Sequence, residues 1–185
     1  IFEVPSGADA VKIQEAIDKA VQFTGQQPVV HLSPGTYPIN QTLVIPPNTD
    51  VQILGEGFQS YSASNLLWVG KGKGVVMRID GPSKAVLRSI NILGKKKGAF
   101  DGLVLTGIDQ PQGRVRANQV FTMDSNINFL VDKLKSVTLE FLHSVPNLRS
   151  SINTGKIGYK VVGPGNGQPG TTVLIMGEGA FGDIS

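Results

Sequence analysis

Carboxylates, arginines and a single tryptophan are the side chains of this 185-residue chain whose spacing could support chemistry. Asp101 and Asp124 lie 23 residues apart, as do Asp109 and Asp132, and Glu56 stands 24 residues before Asp80. If one circuit of a coiled chain uses about that many residues, such carboxylates stack on neighbouring strands and offer the several oxygen ligands that Ca²⁺ takes. Scattering 14 acidic residues over this length gives roughly two or three such pairs by chance. Asp101 also opens an Asp-Gly dipeptide, which has an ordinary turn reading. Arg114 and Arg116 flank Val115, so both project from one face of a strand. They can bind a carboxylated ligand or simply pair with surface acids. Trp68, after Leu66-Leu67, offers either a face for stacking on a sugar ring or bulk for packing.

Other chemistries find little support. The chain has no cysteine, which removes thiol catalysis, disulfides and cysteine-ligated metal. No two acidic residues are adjacent, and His31 and His143 sit among apolar or small neighbours. Local carboxylate pairs of the kind that glycoside cleavage needs are therefore not evident. Gly70-Lys71-Gly72-Lys73-Gly74 lacks the Gly-Lys-Ser/Thr ending of a phosphate loop, and Gly163-Pro164-Gly165-Asn166-Gly167 runs into Pro169-Gly170 where a helix would have to start. The formal charge is only +3, and the run Lys95, Lys96, Lys97 has no interleaved aromatic residues to stack bases, so nucleic acid is not expected as a partner. No apolar stretch is long enough to cross a bilayer, so no membrane association is expected. No cofactor is evident, with Ca²⁺ the one that an acidic ladder would admit.

The elements that must position these residues are short. With 23 Gly, 11 Pro, 6% aromatic and 17% charged residues, the composition favours many strands separated by turns. One helix is legible from Ala8 to Thr24, where Ile13, Ala16, Ile17, Ala20 and Val21 line one face. Ser6 or Asp9 can cap its start, Gly25 can end it, and Lys12, Gln14, Glu15, Asp18, Lys19 and Gln22 form a face expected to meet water. After Gly25 the pattern changes to apolar runs of three to five residues: Val29 to Leu32, Tyr37 to Ile39, Leu43 to Ile45 and Val51 to Leu54. The intervals Val29 to Val51 and Val51 to Val75, 22 and 24 residues, predict a solenoid of three short strands and three turns per circuit. A sandwich fits less well, because Asn166-Gly167 is the only Asn-Gly hairpin dipeptide. A solenoid needs its ends covered, and the helix directly before the first rung is the natural plug.

The stretch Ala8 to Ala20, with Ile13-Gln14-Glu15-Ala16-Ile17-Asp18-Lys19-Ala20, resembles the helix that opens proteins of the pectate-lyase-like superfamily. Val29 to Tyr37, with its Pro34-Gly35-Thr36-Tyr37 turn, and Val51-Gln52-Ile53-Leu54-Gly55-Glu56-Gly57 resemble that superfamily's first rung and the start of its second. More distantly, Asp109-Gln110-Pro111, Arg114-Val115, Leu130-Val131-Asp132 and Gly158 to Gly163 look similar to bacterial polygalacturonase-related proteins. The resemblance implies an all-β, right-handed parallel β-helix with an N-terminal capping helix. It implies one domain over residues 1–185, with 1–27 as capping segment and 28–185 as rungs. No matching cap is readable near Ser185, so the chain is expected to be a piece of a longer protein.

The resemblance also implies a secreted or cell-surface bacterial protein whose partner is an acidic polysaccharide, handled by a lyase or a glycoside hydrolase. Of the polygalacturonase strings, only Asn48-Thr49-Asp50 occurs, and it lies in an early turn where no active site is expected. In the lyase plan, carboxylates on stacked rungs bind Ca²⁺ and a Lys or Arg takes the proton. That makes Asp101, Asp109 and Asp124 the candidate catalytic residues, and Arg114, Arg116 and Trp68 the candidate substrate-binding residues. The missing acidic motifs favour a second kind of protein, a non-catalytic scaffold or glycan-recognition module such as a tailspike-like segment or an accessory to a separate catalytic domain.

Overall fold

A computed structural model describes residues 1–57, 62–94, 100–106, 114–123, 125–132, 136–145, 157–161, 171–176 and 182–184. Asp109 and Asp124, the lysine run 95–97 and Asn166-Gly167 lie outside the described residues. In chain order the elements are β1 (Phe2–Val4), α1 (Ala10–Val21), β2 (Val29–Leu32), β3 (Gly35–Ile39), β4 (Leu43–Ile45), β5 (Gln52–Leu54), β6 (Ser64–Trp68), β7 (Gly74–Asp80), β8 (Val86–Leu93), β9 (Phe100–Thr106), β10 (Val115–Met123), β11 (Ile127–Val131), β12 (Ser136–Val145), β13 (Ile157–Val161), β14 (Thr171–Met176) and β15 (Gly182–Ile184).

Among the described residues all of the strand pairings are parallel, and they form two sheets that coil into a β-solenoid of about four turns. The first sheet runs β1-β2-β5-β8-β10-β12-β14, with β3 and β6 joined to it through β8, and the second runs β4-β7-β9-β11-β13-β15. The all-β parallel β-helix with an N-terminal helix is thus the observed fold.

The core is built from like residues stacked in register, because each strand alternates its side chains between lumen and outside. Val30, Ile53, Leu87 and Ala117 form one inward column, and Leu43, Met77, Leu103 and Phe129 another; all eight are buried. In β8 the alternation is broken at Ser89, whose φ of 55° puts it in the left-handed region, so that Leu87 and Ile90, three apart, both point inward. Gln119, stacked on Ser89, repeats the bend with φ 54°, and the Ser89 hydroxyl donates to the Gln119 Oε1 at 2.8 Å. The first sheet therefore turns a corner along this line and presents two outward faces, one on each side.

Rung length is not uniform. Stacked residues are 22 positions apart at Val115 and Val137 but 35 apart at Ser136 and Thr171. The interval from Val51 to Val75 expected to mark a rung instead joins different sheets, since Val51 adjoins β5 while Val75 stacks on Asp101 in the second sheet. Turns between strands vary freely in length while the packed columns keep their register, so even spacing was the wrong signal.

The helix starts on Asp9, whose Oδ1 accepts from the Lys12 N–H at 3.0 Å, and it buries Ala10, Ile13, Ile17 and Ala20 over the open end. Gln14, expected to face water, does something else. Its Oε1 accepts from the Val44 N–H at 2.8 Å and its Nε2 donates to the Val44 carbonyl at 3.0 Å, so one amide pairs with the free edge of β4. The first residues also join the sheet, with Phe2–Val4 pairing with Val30–Leu32 as an additional parallel strand.

Candidate functional site

Upstream of the Ser89 corner, the outward residues of β2, β5, β8 and β10 and of the turns before them fall into three columns. Register sets Val29, Gln52, Val86 and Arg116 in the middle column, and His31, Leu54, Arg88 and Asn118 beside it. Two residues back along each strand come Gln27, Asp50, Lys84 and Arg114, held in line by the Lys84 N–H donating to the Thr49 carbonyl at 2.8 Å and the Arg114 N–H to the Ser83 carbonyl at 2.7 Å. The intervening residues Val51, Ile53, Ala85, Leu87, Val115 and Ala117 are buried in the core, which forces the polar ones outward.

Lys84, Arg88, Arg114 and Arg116 are exposed, and among the described residues none of them forms an ion pair. A groove of about 740 Å³ runs over this face from Gly25 and Gln27 to Arg116 and Asn118. It continues at Gly25, Asp50 and Lys84 into a recess of about 330 Å³ beside Asn48 and Pro82. Unpaired guanidinium groups in line on a rigid sheet are suited to planar anions, which they can grip with two parallel hydrogen bonds.

The carboxylates near this face are occupied. Both oxygens of Asp50 accept from the Gly25 N–H at 3.0 Å, and Oδ2 also accepts from the Gln27 N–H at 3.1 Å. The Asn48-Thr49-Asp50 string is therefore structural: Asp50 ties down the turn after α1, and the Thr49 hydroxyl donates to the Pro46 carbonyl of its own turn at 3.0 Å. His31 projects from β2 between Glu3 and Glu56, with Nδ1 at 2.5 Å from Glu3 Oε2 and Nε2 at 3.0 Å from Glu56 Oε1.

Just inside the wall, Tyr37 is fully buried, with its hydroxyl 2.7 Å from the Ser33 carbonyl and 3.1 Å from that of Val4. Burial, and secondarily the charge of Glu56, pushes its phenol from 10.0 up to about 12. The neutral form is thus favoured in the folded chain, a contribution that is whole below pH 10 and is lost as pH rises through about 12. The melting temperature of the wild type is expected to fall more steeply across that alkaline window than that of Tyr37→Phe, as followed by circular dichroism. Parallel curves would rule this out.

Other candidates read from the sequence do not join the site. Asp101 lies in strand β9, not in a turn, and on the second sheet. The register of β9 and β11 sets stacked residues 26 apart, as at Leu103 and Phe129, which brings Ile127 beside Asp101. Asp101 Oδ1 accepts from the Ile127 N–H at 3.1 Å and the Asn126 Nδ2 at 3.3 Å. That oxygen thus serves two N–H donors, and the residue stacked on Asp101 supplies no second carboxylate for a ladder. Asp101→Ala is expected to cost roughly 1–2 kcal/mol, by the same amount with and without Ca²⁺, in urea denaturation. A Ca²⁺-dependent difference would restore the ladder.

Glu56 follows β5 and Asp80 ends β7, so that pair belongs to different sheets, and Asp80 is instead held by Arg78 at 2.8 and 3.0 Å. Among the described residues no group of three or more His, Asp or Glu is placed to hold a metal ion. Trp68 is only 5% exposed, packed in the core with Gly70 of the following turn and Gly74 at the start of β7 against its indole; a Cβ on either would come within 2.6 Å of the ring. It offers no face to a sugar.

Arg114 and Arg116 are legible from their alternation, whereas Lys84 and Arg88 join them only in the folded chain. The signal was present, since Lys84-Ala85-Val86-Leu87-Arg88 alternates as Arg114-Val115-Arg116-Ala117-Asn118 does, but the two segments lie 30 residues apart and an assumed rung of 22 to 24 separates them.

No family model matches the sequence, and neither the curated proteins nor the solved structures give a match to it.

Proposed function

We propose that this β-solenoid is a glycan-recognition module that binds acidic polysaccharide along the outward columns of β2, β5, β8 and β10. The observation that carries the proposal is the gathering of Lys84, Arg88, Arg114 and Arg116 on one exposed, grooved face without carboxylate partners among the described residues. Gln27, Gln52 and Asn118 add amides that suit sugar hydroxyls, while Val29, Leu54 and Val86 supply an apolar shelf for ring C–H groups. The resemblance of the opening rung to the pectate-lyase-like superfamily supports the same ligand class and, with it, a secreted or cell-surface setting. Recognition is preferred to cleavage because the carboxylates described near the groove are tied to backbone amides or to His31.

Calorimetric titration with polygalacturonate, alginate and a neutral glucan, alongside duplex DNA, tests the proposal. Saturable binding of the acidic glycans, weakening with salt and without release of unsaturated or reducing ends in the presence or absence of Ca²⁺, is the expected result. Oligosaccharide release would replace recognition with catalysis. Equal or tighter binding of DNA would overturn the ligand class.

A further inference from the structure

The cations are not spread evenly along the groove. On the two rungs nearest the cap, the columns read Gln27, Val29 and His31, then Asp50, Gln52 and Leu54. They contain no lysine or arginine, and their margin carries Glu3 and Glu56, with side chains 64% and 53% exposed. On the next two rungs they read Lys84, Val86 and Arg88, then Arg114, Arg116 and Asn118. One strand further on, Thr138 and Glu140 hold the positions that follow Arg116 and Asn118. Among the described residues of these columns, lysine and arginine therefore fall in a band two strands wide, about 5 Å from one strand to the next, and the cap side of that band is neutral to negative.

A polymer with a carboxylate on every sugar would satisfy the band but press further carboxylates against Asp50, Glu3 and Glu56. Discrimination of this kind comes as much from the repulsive half of a site as from the attractive half. A polymer in which acidic and neutral sugars alternate can seat one carboxylate between Arg88 and Arg116. It then lays a neutral sugar over the amides of Gln27 and Gln52 and the apolar surface of Val29. We infer that the groove selects a mixed glycan with alternating acidic and neutral sugars over a homopolymer of uronic acid, an inference that rests on the glycan-binding proposal above.

The test compares Kd values of the whole chain, at one ionic strength, for a hyaluronan oligosaccharide, in which uronate and N-acetylhexosamine alternate, and an oligogalacturonate of the same number of sugars. A malto-oligosaccharide serves as the neutral control. The alternating glycan is expected to bind about tenfold tighter despite carrying half the charge. Gln52→Lys, which adds a cation on the cap side, is expected to raise oligogalacturonate affinity and erase the preference, with a thermal melt confirming that the variant is folded. If both acidic glycans bind and oligogalacturonate is equal or tighter with the wild-type chain, the selectivity is overturned while glycan recognition stands. If neither binds, or the neutral control binds as well, both fall.

Discussion

Replacing Arg88 and Arg116 together with glutamine is expected to weaken binding of an acidic polysaccharide by about 30- to 150-fold while leaving the melting temperature within a degree or so of wild type. The two guanidinium groups stand on adjacent strands of one rigid sheet, so a carboxylate can meet both without reordering the backbone. A hydrogen bond to a charged group contributes about 1.5–3 kcal/mol, and the exposure of both arginines lowers that to about 1–1.5 kcal/mol each. Glutamine keeps part of the stem that covers the sheet, so the loss reports charge and not packing. Stability is unaffected because both side chains are exposed and neither forms an ion pair among the described residues. The salt dependence of the remaining binding should flatten as well, since the charges that produce it are gone. A change of less than threefold in Kd would move the ligand away from this face.

Gly55→Ala is expected to cost about 3 kcal/mol, the upper end for overpacking, and to lower the melting temperature by roughly 6–10 °C. A Cβ there would stand 2.5 Å from the Ser89 carbonyl oxygen, 2.6 Å from the Ile90 Cγ2 and 2.9 Å from the Ser64 Cβ. The first of these is backbone, in the corner that Ser89 and Gln119 build, and Gly55 itself donates to the Arg88 carbonyl at 2.9 Å. Neither partner can retreat without opening the ladder. Gly72→Ala is the control: its φ of 91° is strained for alanine, yet nothing lies within 4 Å of the new methyl, so its cost is expected near 1 kcal/mol. Chemical denaturation ranks the two. If Gly72→Ala proved the more damaging, the corner would not be as tightly packed as these distances require.

The residues that could be read in advance are those whose partners are near in sequence. The helix face Ile13, Ile17 and Ala20 obeys a local period, and the strands Val29–Leu32 and Leu43–Ile45 are bounded by local turns, so all of these stand where the sequence puts them. What failed depended on distance along the chain. The pairing of Phe2–Val4 with Val30–Leu32 spans 28 residues and has only three residues to announce it. Asp101 met Ile127 because turn length set the local rung at 26 residues, and turn length has no signature in apolar periodicity. Half of the cationic face was legible for the same reason: Arg114 and Arg116 are neighbours in sequence, while Lys84 and Arg88 join them only through the ladder. Trp68 could not be placed, because whether an indole meets solvent depends on the glycine turn folded over it.

The amide of Gln14 has a consequence for how this molecule coexists with its own copies. A parallel solenoid is a one-dimensional lattice that grows by adding rungs, and any strand at its end with free N–H and C=O groups is a growing end. By occupying both groups of Val44, Gln14 acts on β4 as a terminating group acts on a polymer. One side chain on the helix thereby closes the β4 edge of the second sheet to a further rung, while the edge of the first sheet is left to β1.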